Sequence, residues 1–91
     1  MIAGYIVSVG TEPTEISYPE AIDSVPGQSI GIQNQSGATI YLGDENVTTS
    51  VYGWKLANNG ELGIDLNHGE KLYAVVVSST ANVNVLITGA K

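Results

Sequence analysis

The residues of this 91-residue chain that could carry chemistry are few, and each lacks a partner. His68 is the single histidine, and there is no cysteine. A Ser-His-Asp triad needs a histidine oriented by a carboxylate and touching a serine. Asp65 lies close to His68, but Asn67-His68-Gly69 is turn chemistry, which puts the imidazole in solvent. One histidine without cysteine does not complete the usual zinc set. Asp44-Glu45-Asn46 gathers side-chain oxygens after Gly43, yet the spacing does not fit a calcium-binding helix–loop–helix and reads as a solvated turn. Gly60-x-x-Gly63 is neither a phosphate loop nor a dinucleotide fingerprint. Carboxylates are numerous enough for a glycosidase pair, but so small a chain leaves little room for a cleft between them. The two N-x-S/T sequons, Asn34-Gln35-Ser36 and Asn46-Val47-Thr48, occur at about the chance frequency for this composition. The inventory reads as a protein that is not an enzyme and holds no metal or cofactor.

Tyr52-Gly53-Trp54 is different in kind. A tyrosine and a tryptophan in an irregular segment suit a protein contact or a stacking platform for a sugar ring. The competing expectation is that Trp54 caps an open end of the core. The chain has no phenylalanine and needs its few aromatics inside.

The elements that must position these residues belong to one domain. A chain of this size buries only about 60–65% of the surface its unfolded form exposes, and no disulfide compensates. A tightly packed sheet pair, an oligomer or both must stabilise it. The net charge of −6, with Lys55, Lys71 and Lys91 the only cations, opposes nucleic acid and anionic membranes as partners. No basic n-region or long apolar core marks a signal peptide, and no apolar run reaches the roughly 20 residues a spanning helix needs. Synthesis in a cytosol is expected.

Ile2–Val9 reads as a strand. The segment 11–27 holds all three prolines and four acids without a cation. Each proline removes a ladder donor, so the segment is expected to be an extended arm, an edge segment or a long loop folded on its own domain. Fully extended it would reach about 55 Å. Residues 28–34 and 38–42 alternate, with Ile30, Ile32, Ile40 and Leu42 inward, and the Gln35-Ser36-Gly37 turn between them suggests a hairpin. Val47–Thr49 is β-branched, and 50–59 is a loop or short strand ending in the turn Asn58-Asn59-Gly60.

Residues 60–88 carry the most regular pattern. Leu62, Ile64 and Leu66 share a face, as do Val83, Val85 and Ile87. Between them Leu72, Ala74 and Val76 alternate with Tyr73, Val75 and Val77, a two-sided strand for the middle of the fold. No helical period persists over ten residues. Seven or eight short strands predict an all-β fold, a small β-sandwich or jelly-roll-like barrel with an extended N-terminal proline-rich arm and a main sheet core over 28–88.

The run Asn34-Gln35-Ser36-Gly37-Ala38-Thr39-Ile40-Tyr41-Leu42-Gly43, followed by Val47-Thr48-Thr49, Gly60-Glu61-Leu62-Gly63-Ile64 and Gly69-Glu70-Lys71-Leu72-Tyr73-Ala74-Val75, resembles small virion proteins of tailed bacteriophages and prophages. The likeness spans about two thirds of the chain. Asn59 and His68 before Gly-Glu, and Lys55 after Trp54, depart from the pattern. The resemblance implies a structural virion protein of the capsid decoration or head-fibre type, placed on the capsid exterior. Its implied partners are the major capsid protein and itself, as a homo-oligomer and in particular a trimer. It brings no catalytic residues. On this expectation Ile16, Tyr18 and Pro19 of the arm, with Tyr52 and Trp54, are the contact residues, and deleting residues 1–27 should abolish attachment while leaving a folded domain. The alternative is a carbohydrate- or receptor-binding module of a fibre or tail, with Tyr52 and Trp54 as the platform.

Overall fold

The computed structural model describes residues 2–17, 27–67 and 70–88. These form strands β1 (Ile2–Val9), β2 (Thr14–Glu15), β3 (Gly27–Gln33), β4 (Ile40–Gly43), β5 (Trp54–Leu56), β6 (Glu61–Asn67), β7 (Tyr73–Val75) and β8 (Ala81–Thr88). Pairing is nested: β1 with β8, β2 with β7, β3 with β6 and β4 with β5, all antiparallel. The first half of the chain therefore runs back along the second half as a double ribbon, with residues 44–53 at its tip. Further pairs, β3 with β8 and β4 with β7, roll the ribbon into two four-stranded sheets. The first has the order β1-β8-β3-β6 and the second β2-β7-β4-β5. This order is the jelly-roll arrangement of a β-sandwich.

The roll follows from where the alternation points apolar side chains. The first sheet turns Val9, Ile30, Ile32, Leu66, Ala81, Val83, Val85 and Ile87 inward, and the second turns Ile40, Leu42, Leu56 and Ala74 toward them. Register places Ile30 beside Ile87 and Ile32 beside Val85, and Leu42 beside Ala74 across the second sheet. Such cross-strand neighbours are the unit that stabilises a sheet. On β8 the outward residues Asn84 and Leu86 alternate with the buried ones, as the sequence indicates, and Asn82 extends the pattern.

Two expectations about pairing fail. Residues 28–42 are no hairpin, because β3 lies in the first sheet and β4 in the second. The strands of 60–88 do not form one sheet either: β6 and β8 flank β3, while β7 lies in the opposite layer. The start of the 11–27 segment is the edge strand β2. Thr14 and Glu15 pair with Ala74 and Tyr73, Ile16 N–H donates to Leu72 O at 2.8 Å, and Ser17 is buried with its hydroxyl accepting from Leu72 N–H at 3.2 Å. The first part of the proline-rich segment is thus built into the sandwich. Removing residues 1–27 would delete β1, β2 and the core residues Val9 and Ile16, so no folded domain would remain. Val47–Thr49 is loop and not strand.

The ribbon must cross between sheets, and its two chains stay bonded where it does. At one crossing Val76 N–H donates to Gly10 O at 3.0 Å. At another the link is Asn34, whose side chain is fully buried. Its Nδ2 donates to Ala38 O at 2.8 Å and Leu56 O at 2.9 Å. Its Oδ1 accepts from the Ser36 hydroxyl at 2.7 Å and from Ser36 N–H at 3.2 Å. Its main chain exchanges bonds with Gly60 O and Asn59 N–H. One amide thereby joins the end of β3 to the start of β4 and the end of β5. The two turns that meet here keep Gly37 at φ +87° and Asn59 at φ +68°, values that glycine and asparagine tolerate best.

β7 is two-sided as the sequence indicates. Ala74 joins the core, while Val75 is buried but lies outside the core cluster. Register sets Val75 beside Tyr41, whose ring packs edge-on to Tyr52 with centroids 4.8 Å apart. The tip loop 44–53 thus folds back over the outward side of the second sheet. It is held by Gly53 N–H to Leu42 O at 2.8 Å and by Thr48 Oγ1, which accepts from Val51 N–H at 2.8 Å. Asp44 is spent on the turn, its Oδ1 accepting from Asn46 N–H at 2.9 Å. A Cβ added at Gly43 would stand 3.0 Å from Val47 Cγ2 and 3.1 Å from its Cβ. Val47 is buried and β-branched, so it has little freedom to yield. Gly43→Ala is expected to cost about 1–3 kcal/mol, read as a lower urea midpoint at unchanged slope.

Candidate functional site

The aromatic tip is the first candidate. Trp54 is 54% exposed and Tyr52 43%, with Val51 open beside them. Leu56 points into the core, and Trp54, two residues earlier on β5, leaves the strand on the same side. The indole thus stands at the gap between β5 and β6, which among the described residues are edge strands, one of each sheet. There a cleft of about 300 Å³ is lined by Leu42, Trp54, Leu62, Ile64 and Leu72, with Gly43 and Gly53 at its margin. Leu62 and Ile64 are only half-buried, and among the described residues no strand pairs with β6 on this side. The geometry falls between the two expectations for Trp54: it stands at an open end of the core and leaves that end open. An aromatic face beside an unfilled apolar cleft can seat an apolar side chain or the CH face of a sugar ring.

The five sequence-derived contact residues do not form one site. Tyr52 and Trp54 lie together at the tip. Ile16 does not join them. It is fully buried in the core cluster, and its carbonyl accepts from the Tyr5 hydroxyl at 2.8 Å. A side chain turned inward cannot meet a partner, so Ile16 is a core residue. Tyr18, Pro19 and His68 lie outside the described residues.

The second candidate escaped the sequence reading. On the outward face of the first sheet, Gly31 pairs with Gly63 and Leu86 pairs with Gly31. The missing side chains leave a trough of about 600 Å³ beside Gln33, Glu61, Asn84 and Leu86. Gln33 Nε2 donates to Glu61 Oε1 at 3.3 Å on one side, and Ser29 Oγ donates to Asp65 Oδ1 at 2.7 Å on the other. A glycine inside a strand marks a close approach or a bulge, but only the register shows that these two adjoin.

Among the described residues no group of three or more His, Cys, Asp or Glu side chains is placed to hold a metal ion, and no helix is long and apolar enough to cross a membrane. The fold and surface define an all-β sandwich whose distinctive exposed features are apolar and aromatic. No protein-family model matches the chain, and no curated protein matches it significantly.

Proposed function

We propose that the chain is a structural protein of a tailed-bacteriophage virion, a decoration or cementing protein that binds the assembled head as an oligomer and contacts the major capsid protein. Three things support this reading. The strand-and-turn motifs resemble small virion proteins, the jelly roll is an architecture of viral capsid domains, and the acidic surface suits neither nucleic acid nor membrane. The fold argument is analogy, since one architecture hosts many functions. The observation that carries the proposal is Trp54 standing exposed over an unfilled apolar cleft, the form of an anchor site for another protein. Such a protein stabilises the lattice by mass action, binding the assembled form and not the dispersed subunits.

Co-sedimentation with expanded empty heads tests it. Trp54→Ala should lower occupancy by about tenfold or more with an unchanged thermal midpoint. Equal occupancy in wild type and variant would remove the tip from the interface, and absence of any binding would remove the decoration role. A second reading, a glycan- or receptor-binding module of a fibre or tail, is favoured by the same indole face. Titration with host surface polysaccharide, with Trp54→Ala as control, separates the two.

A further inference from the structure

The charge of this protein is unevenly placed. β1 and β8, neighbours at one side of the first sheet, carry no acid and no base over sixteen residues. Among the described residues the acids lie in the connections, in β2 and in β6. β1 is also an edge: among the described residues no strand pairs with its outer side.

Edge strands present unpaired N–H and C=O groups, and natural proteins guard them with lysine, proline, bulges, inward charges or short length. The other edges follow that rule. β2 has two residues, β5 has three and bears Lys55, and β6 carries Glu61 and Asp65 exposed. β1 has eight residues, no proline and no charge, and its ladder to β8 runs unbroken from Ile2 to Val9. Ile6 stands 67% exposed on its outward face, and Leu86 is exposed one strand away.

We propose that the outer edge of β1 pairs antiparallel with the same strand of a second copy, making one eight-stranded sheet across a two-fold axis. An antiparallel pair of identical strands is self-complementary, as a two-fold interface requires. Charge selects this edge: pairing through β6 would bring Glu61 and Asp65 of two copies together, whereas pairing through β1 opposes no like charges and keeps the acidic sides apart. Gly4, Ile6 and Ser8 of the two copies share the outward face of the joined sheet. There Ile6 loses its exposure against the partner's strand.

The full chain in analytical ultracentrifugation should show a concentration-dependent monomer–dimer equilibrium. Ile6→Lys should yield monomer while keeping the wild-type far-ultraviolet dichroism, and Trp54→Ala should remain dimeric. Amide exchange provides the readout independent of substitution. Among the described residues no strand pairs with the outer side of β1, so raising the protein concentration should slow the alternate amides on that side by about tenfold or more and leave the amides of β6 unchanged. A wild-type chain that is monomeric at high concentration, a trimer, a dimer that survives Ile6→Lys, or β1 exchange independent of concentration would each overturn the proposal. The result is independent of capsid binding: dimers that ignore heads would refute the decoration role alone.

Discussion

Asn34→Asp is expected to destabilise the domain by about 3–5 kcal/mol at pH 7 and to recover part of that loss in acid. The substitution keeps the shape of the side chain and removes only its donors. Ala38 O and Leu56 O, which the Nδ2 group now satisfies, would face a carboxylate oxygen in a fully buried corner. Both burial and the two carbonyl dipoles oppose the charged form, so the folded-state pKa of the introduced acid lies above its unfolded value of about 3.9. Below about pH 4 the acid is protonated in both states, and only the loss of one donor separates the variant from wild type. As the pH rises the unfolded chain ionises first, which widens the gap until the folded-state pKa is passed, after which it is constant. Asn34→Ala should cost about 2–4 kcal/mol, because it leaves buried carbonyls unpaired, with no comparable pH dependence. Urea unfolding at pH 4 and pH 7 distinguishes the two. Equal losses at both pH values in Asn34→Asp would mean that the corner opens to water.

Ile16→Ala is expected to cost about 2–5 kcal/mol, a large part of the roughly 5–10 kcal/mol that holds a domain of this size together. Ile16 is fully buried, packs in the core cluster, and is anchored by its own N–H to Leu72 and by its carbonyl to the Tyr5 hydroxyl. Its neighbours are held by these bonds on both sides and cannot readily collapse into the space left. Any loss of capsid attachment in this variant should track the unfolded fraction and vanish under stabilising conditions. Trp54→Ala should do the reverse, losing attachment at full stability. A thermal midpoint unchanged by Ile16→Ala would contradict its place in the core.

Side-chain direction was legible in the sequence, and strand partnership was not. Ile30, Ile32, Ile40, Leu42, Val83, Val85 and Ile87 follow from the period of two, which depends only on each strand's own residues. Pairing depends on residues far away. A strand, the turn Gln35-Ser36-Gly37 and a second strand look alike whether the chain folds back on itself or crosses to another sheet. What decides is Asn34, buried and bonded across the crossing, and an asparagine after a strand is locally just another turn residue. The partial burial of Leu62 and Ile64 likewise goes with β6 being an edge strand among the described residues, and the trough with Gly31 meeting Gly63. Ile16 was misplaced because the proline content of its neighbourhood outweighed a single apolar side chain. Trp54 was undecided because residue type cannot tell whether a cleft is filled.

The nested pairing also constrains how this chain becomes a protein. β8 lies between β1 and β3, so the first sheet has no continuous hydrogen-bond ladder until residues near Thr88 have left the ribosome. Every rung of that sheet joins distant parts of the chain, Ile2 with Thr88 at the extreme, and contacts of such sequence separation make folding slow. During synthesis the uncharged strand β1 must therefore wait without its partner. A nascent or truncated chain exposes both edges of β1, the inner one that β8 will cover and the outer one that we assign to a second copy. Timing of translation, and not stability alone, then decides whether the inner edge finds β8 or a stranger.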